Sequence, residues 1–343
     1  MAGGMNPLQA LRGRLFKVVL PLLLLIVLAV LPAAGISANL TRLLFVTAVW
    51  TVASIGWNLL GGFAGQVSFG FAVFYGLGAY TAALLINAGR SPYFAFLGSA
   101  AVAVLASFLI GLPTFRLRGP YFAIATIGVG EATRVIMNNL DFTGGASGYR
   151  ITEHGTFHPL QHYYTALGAA AIGVMVSSII AGSKFGLALR AVKQDQDAAA
   201  AVGVNPYLCK LWIHAVAAAL TGIAGGIYAR YAAFIYPGGV FAFQTSISIL
   251  LMPVIGGIGT VWGAVLGGVI FGIVEEELVV NFPNIHLLLY GSLLILIILF
   301  EPDGLVGLLR RLARRFRRRS EDSGSANTDE VLWGRSRLEG REL

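Results

Sequence analysis

Apolar stretches of 16 to 22 residues follow one another along most of this chain, with little polar sequence between them. Eight of them lie near residues 18–34, 43–60, 67–88, 93–113, 120–137, 162–182, 211–232 and 285–300. A helix of about 20 residues, rising about 1.5 Å per residue, crosses about 30 Å of hydrocarbon, so each stretch reads as a membrane crossing. A ninth block, 244–275, has 32 residues. As one helix it would be about 48 Å long, too long for a single crossing at ordinary tilt. The glycines of GGIGTVWG at its middle can break it, which predicts two short crossings or a re-entrant pair. The expected fold is all-α: a polytopic transmembrane helix bundle of about ten spans, or eight plus a re-entrant pair.

Composition agrees with lipid as the solvent. Of 343 residues, 57% are hydrophobic and 12% charged, whereas soluble domains carry about 25% charged residues. With Cys209 as its single cysteine, the chain has no internal disulfide and no CxxC metal or redox motif. The net charge of +8 comes largely from RRLARRFRRR, with seven arginines between Arg310 and Arg319. Because this run follows an apolar segment directly, it reads as an anchor to anionic lipid headgroups rather than as a nucleic-acid surface.

An even number of crossings puts both termini on one side, and Lys and Arg favour cytoplasmic loops. Nineteen of the 24 basic residues fall on the side of the termini, including Arg12, Arg14, Lys17, Arg116, Arg118, Lys184, Arg190, Lys193 and Lys210. Only Arg42, Arg90, Arg134, Arg150 and Arg230 fall at or near the other face, with the acidic trio Glu275, Glu276 and Glu277. Both termini are therefore expected in the cytoplasm. The first stretch ends in LPAAGISA, which resembles a leader cleavage site, but removing it would leave nine spans and spoil this parity. The expected organisation is a basic segment 1–17, a membrane domain 18–309 with a cytoplasmic loop at 184–210, and a basic, then disordered, tail 310–343.

The chain has 44 glycines, many of them four apart: Gly61 and Gly65, Gly222 and Gly226, and Gly259, Gly263 and Gly267 beside Gly268 and Gly272. Small residues at this spacing let helix backbones approach closely where water supplies no drive for association. Gln66 and Ser68 are polar groups near the start of a span and need either a cavity wall or an interfacial setting. Glu131 and Arg134, three apart toward the end of another span, can pair on one helix face. They form either a structural pair or the border of a polar translocation path. His154, His158 and His162 are spaced four apart, but Gly155 and Pro159 interrupt the helix that would stack them. That region reads as an external loop without a metal, and His214 as a packing residue.

No chemical motor is encoded here. A P-loop needs Gly-x4-Gly-Lys followed by Ser or Thr, and none of the four lysines has that setting. HExxH and GxSxG are also absent, so the chain is not expected to be an enzyme. If ATP drives it, another subunit hydrolyses the nucleotide. The polar segment SKFGLALRAVKQDQDAAAAVGVNPYLCK reads as a short exposed helix favoured by Ala198–Ala201 and stopped by Gly203, Asn205 and Pro206. A small-sided helix of this kind fits a groove on a partner.

Six ordered segments together resemble a known family: GQVSFGFAVFYGLGAYTAALL from 65, RLRGPYFAIATIGVGEATR from 116, TGGASG from 143, GLALRAVKQDQDAAAAVGVNP from 186, SISILLMPVIGGIGTVWGAVLG from 246 and FEPDGLVGL from 300. Over about residues 40–310 the chain is similar to the LivM-like permease subunits of bacterial ABC importers for branched-chain amino acids, which implies a type II importer-like fold in the inner membrane. The resemblance makes the segment from Leu187 to Asn205 an ATPase-docking loop, with Leu187, Arg190, Ala191, Asp195, Asp197, Ala198, Ala199, Gly203, Val204 and Asn205 as its contact residues. It departs from the family in DQDAAAAVG, where an acidic side chain sometimes found among the alanines is missing. Implied partners are a homologous second permease, two cytoplasmic ATP-binding subunits and a periplasmic solute-binding protein; no cofactor is implied. The family also includes importers of urea, short amides and other amino acids. An ion-coupled secondary transporter, with Glu131 as the carrier, is the alternative of a different class.

Overall fold

The computed structural model describes residues 37–152 and 158–281, together with residues 30, 285, 288–289, 291–292, 295, 299, 304–307 and 311. The stretch expected at 18–34 apart from residue 30, most of that at 285–300, His154, and the terminal segments 1–17 and 312–343 lie outside the described residues.

Helix α1 (Ala38–Trp57) opens on Ser37, whose Oγ accepts from the Leu40 amide, and runs into a π-helical turn, Asn58–Phe63. The chain then leaves helical structure for residues 64–70 before α2 (Phe71–Asn87). Ser91 and Pro92 start α3 (Pro92–Thr114), and Gly119 and Pro120 start α4 (Pro120–Asn138). In both, proline sits in the first turn, where its missing N–H costs nothing. Two short 3-10 turns and β1 (Tyr149–Arg150) lead to α5 (Pro159–Gly182), then α6 (Lys184–Gln194), α7 (Gln196–Ala201) and α8 (Pro206–Ala232). After β2 (Phe234–Ile235) come α9 (Pro237–Val240), α10 (Phe243–Gly256) and α11 (Val261–Asn281).

Among the described residues, five helical stretches are long and apolar enough to cross a membrane: Ala38–Phe63, Pro92–Thr114, Pro159–Gly182, Pro206–Ala232 and Pro237–Gly256. Phe71–Asn87 and Val261–Glu275 are apolar but shorter. The fold is thus a helical membrane bundle. The 244–275 block is broken where glycines were expected to break it, between Gly256 and Val261. There, Gly257 and Gly259 take left-handed backbone angles, φ +129° and +79°, that other residues avoid.

Helix α8 is the centre of the bundle, with α2 and α3 on one side and α1 on the other. A Cβ added at Gly222 would lie 2.8 Å from the Ser99 carbonyl of α3, and one at Gly225 would overlap the Tyr75 carbonyl of α2. Glycine at these positions lets three backbones meet. On the far side of α1, Gly268 and Gly272 of α11 lie against Thr51 and Thr47, where added Cβ atoms would come within 2.7 and 2.9 Å of the α1 Cα atoms. Gly256 faces Gly263, and Gly267 faces Met252, so α10 and α11 are an antiparallel hairpin. The stripes expected at 222/226 and 263/267 are therefore helix contacts. Gly65 and Gly259 instead occupy turns, with φ +70° and +79°, and Gly61 faces the Trp57 ring of its own helix. Spacing alone does not distinguish a packing glycine from a turn glycine.

The long helices run back and forth, so the segments that connect them gather on two faces. On one face β1 and β2 pair antiparallel, Tyr149 opposite Ile235 and Arg150 opposite Phe234. Asn87, at the end of α2, ties this strand pair down by donating to the Arg150 carbonyl at 2.8 Å and accepting from the Thr152 amide at 2.8 Å. The opposite face holds α6, α7, the segment 115–119 and the α10–α11 turn.

Candidate functional site: a two-helix loop and the node beneath it

The polar segment between α5 and α8 folds as two helices at a corner rather than as one helix and a turn. Ser183 starts α6, its Oγ accepting from the Gly186 amide at 3.1 Å. Asp195 has extended backbone angles (φ −154°, ψ 119°) that end α6, and its Oδ1 accepts from the amides of Asp197 and Ala198 at 2.8 and 3.0 Å to begin α7. The amides of Ala198 and Asp197 hold its carboxyl below the usual aspartate range. Gly203, at φ +88°, stops α7, as expected. Asn205 and Pro206 belong to the next helix, with Asn205 Oδ1 accepting from the Leu208 amide at 3.1 Å to cap α8.

Burial sorts the predicted docking residues into two groups. Gly186, Leu189 and Val192 bury one face of α6, and Ala199 is buried under α7. Ala191 and Val204 are half-buried, and the Val204 amide donates to the Ala199 carbonyl at 3.0 Å. Arg190 turns back on its own chain and donates to the Ala181 carbonyl at 3.0 Å near the end of α5. Leu187, Asp195, Asp197, Ala198, Gly203 and Asn205 remain exposed. Two of the most exposed apolar side chains here are Leu187, at 62%, and Val202, at 78%. Val202 was not anticipated, because a valine in an alanine run carries no signal until Gly203 turns the chain outward. Asp197 is joined to Arg118 by two hydrogen bonds of 3.1 Å, which tie the loop to the segment before α4. With these side chains 76% and 70% exposed, the pair positions the loop more than it stabilises the fold. The result is a low polar ridge with small side chains and two exposed aliphatic ones.

Gln66 and Ser68 lie in the non-helical segment 64–70 and are buried, at 5% and 2% exposure. The Trp57 indole donates to the Ser68 carbonyl at 2.8 Å, and the Phe69 amide donates to Thr126 Oγ1 of α4 at 3.0 Å. Irregular backbone at membrane depth is tolerated only where protein or water satisfies it. The alternate positions of this extended stretch point the other way: Val67 is exposed and Phe69 half-buried. The alternation in GQVSFG was the available sign of extended chain, masked by the hydrophobic run around it. Glu131 and Arg134 do pair, Arg134 Nη2 with Glu131 Oε1 and Nε with Oε2 at 3.0 Å, on the partly exposed side of α4. Only Phe122, Thr126 and Met137 of α4 are buried.

His162 is buried in α5, edge-on to Phe45 and Tyr231, whereas His158 precedes that helix. His214 packs edge-on against Phe74 and Phe115. Among the described residues, no three His, Cys, Asp or Glu side chains cluster as a metal site.

Beneath the loop, several of the motifs meet at a node. The Lys193 ammonium of α6 donates to the Gly62 carbonyl, at the end of the π turn, at 2.8 Å. Asn58, in the same turn, donates to the Thr260 carbonyl at 2.9 Å and accepts from the Gly259 amide at 2.8 Å. Gly304 closes on the turn between α10 and α11: a Cβ there would lie 2.6 Å from the Gly257 nitrogen.

Residues 39–298 match the family model described as branched-chain amino acid transport system / permease component. The high-affinity branched-chain amino acid transport system permease protein LivM of Escherichia coli K12 is 30% identical over 334 residues, covering 88% of this chain and 78% of its own. The protein of that name from Salmonella typhimurium is 29% identical with the same coverage. The permease protein LivH of Escherichia coli K12 is 23% identical over 295 residues, covering 75% of this chain and 91% of its own. The family match runs through the broken helices, the two-helix loop and the node, and the chain belongs to the family of branched-chain amino acid transport system permease components.

Proposed function

We propose that this chain is the inner-membrane permease subunit of an ATP-driven importer of branched-chain amino acids, built on a type II importer-like plan, with α6 and α7 as the docking element for a cytoplasmic ATPase. The observation that carries the reading is the capped corner at Asp195. It holds two short helices rigidly on one face and presents Leu187 and Val202 among acidic and small side chains, a form suited to a groove on a partner. Relatives named LivM and LivH in one organism support a second, homologous permease as partner. Two ATP-binding subunits and a periplasmic solute-binding protein complete the assembly. The binding protein delivers the amino acid, and ATP-driven closure of the motors rocks the docking helices and switches the path between faces. The exposed Val67 with the half-buried Phe69, and the polar pair on α4, border that path.

The test is reconstitution of the complete transporter in vesicles. Leucine uptake is expected to require ATP. Leu187→Asp with Val202→Asp is expected to abolish both co-purification of the ATPase subunits and uptake, while the permease pair stays intact. Uptake that follows a proton or sodium gradient without ATP would overturn the reading, as would full uptake by the double variant.

A further inference from the structure

The node beneath the loop asks for an explanation that docking does not supply. Lys193 is not buried among the apolar residues of α6, and much of its surface is exposed, yet its ammonium turns back to a backbone carbonyl of α1. That carbonyl belongs to the last turn of a helix, where partners are lacking and the negative end of the helix dipole favours a cation. The lysine runs alongside two glycines: a Cβ at Gly65 would lie 2.8 Å from its Cγ, and one at Gly259 3.2 Å from its Nζ. Larger residues at either place would displace it. Partial desolvation at this contact lowers the Lys193 ammonium from the usual lysine range.

Two of the elements it touches are discontinuities. A π turn is a rare, single-turn bulge in an α-helix and is frequent at functional sites. The α10–α11 turn has left-handed glycines at two of its four positions, Gly257 and Gly259, and is bound to that π turn through the nitrogen and oxygen of the Asn58 amide. Motion of α6 therefore has a continuous polar route from Lys193 to Gly62, through Asn58 in the same turn, and on to Gly259 and Thr260. Other contacts of the loop, Arg118 with Asp197 and Lys210 with Gln196 at 2.9 Å, lead to the segment before α4 and to α8.

We propose that Lys193 is the positioning residue that passes movement of the docking helix to the broken helices, its ammonium pinning the end of the π turn and, through Asn58, the α10–α11 turn. This inference rests on the docking role assigned to the loop. In it, Leu187 and Val202 hold the motor, and Lys193 conveys what the motor does.

The experiment uses the full transporter in vesicles and measures three quantities: co-purification of the ATPase subunits, ATP hydrolysis and leucine uptake. Lys193→Met is expected to leave assembly and hydrolysis within about twofold of wild type while uptake per ATP falls about tenfold, a size fitting one lost charge-assisted hydrogen bond. Asn58→Ala, remote from the motor, is expected to give the same uncoupling, and the double variant no more than either alone. In a Cys209→Ala background, Lys193→Cys treated with 2-bromoethylamine rebuilds a side-chain ammonium and is expected to restore uptake. Unchanged uptake in Lys193→Met overturns the proposal. So does a joint loss of assembly, hydrolysis and uptake that aminoethylation does not reverse, or additive losses in the double variant. If instead the wild-type chain fails to recruit the ATPases, it is the docking reading that fails.

Discussion

Asp195 ends one helix and begins another with a single side chain, because its carboxylate satisfies two amides that the first turn of α7 leaves without helical partners. Asp195→Ala is expected to unwind α7, read as several-fold faster hydrogen exchange at the Ala198 and Ala199 amides, whereas Asp195→Asn keeps the cap. The pH dependence follows from the sign of the shift. A carboxylate held below its ordinary range contributes fully above the ordinary aspartate value of about 3.9, and the contribution is lost as pH falls through the lower folded value. The protection that the cap gives these amides, taken relative to their intrinsic exchange rate, is therefore expected to be constant between about pH 5 and 8 and to fall only below about pH 4. Asp195 was legible in the sequence as a residue of the loop. Its role as a corner was not, since DQD offers two aspartates and the backbone chooses between them.

At the scale of the element, glycine decides which helices touch. Gly225 of α8 has the Tyr75 backbone where its Cβ would stand, whereas Gly168 of α5 has nothing within 4 Å. Gly225→Val is expected to cost at least about 3 kcal/mol, seen as a large drop in thermal midpoint in detergent, because backbone cannot retreat as a side chain can. Gly168→Ala is expected to be neutral or to stabilise by a few tenths of a kcal/mol, as alanine favours helix over glycine. Equal effects at the two sites would contradict the packing described. Both residues sit in apolar runs of similar composition, so hydropathy could place the helices of the core but could not say which glycines face a neighbour. The break between Gly256 and Val261 was legible, because 32 apolar residues exceed one crossing and the glycines mark where they divide.

For the whole molecule, the central prediction is sidedness. Cys209 is the single cysteine, so Cys209→Ala gives a background in which one thiol can be placed at will. Val202→Cys is expected to react with a membrane-impermeant maleimide only from the cytoplasmic side of oriented vesicles, and Arg90→Cys only from the opposite side. Reaction of both from one side would contradict the alternation of helices and the proposed orientation of the loop. Hydropathy, charge placement and the six ordered motifs already carried the class, the family and the site of the loop, because span length, charge bias and glycine spacing are local properties of a chain that must satisfy its backbone inside lipid. The meeting of Lys193 with Gly62, of Asn58 with Thr260, and the inward burial of Gln66 and Ser68 arise between segments as far as 202 residues apart. Such contacts depend on how closely the glycine faces let the helices approach, which is a property of the packed bundle and of no single segment.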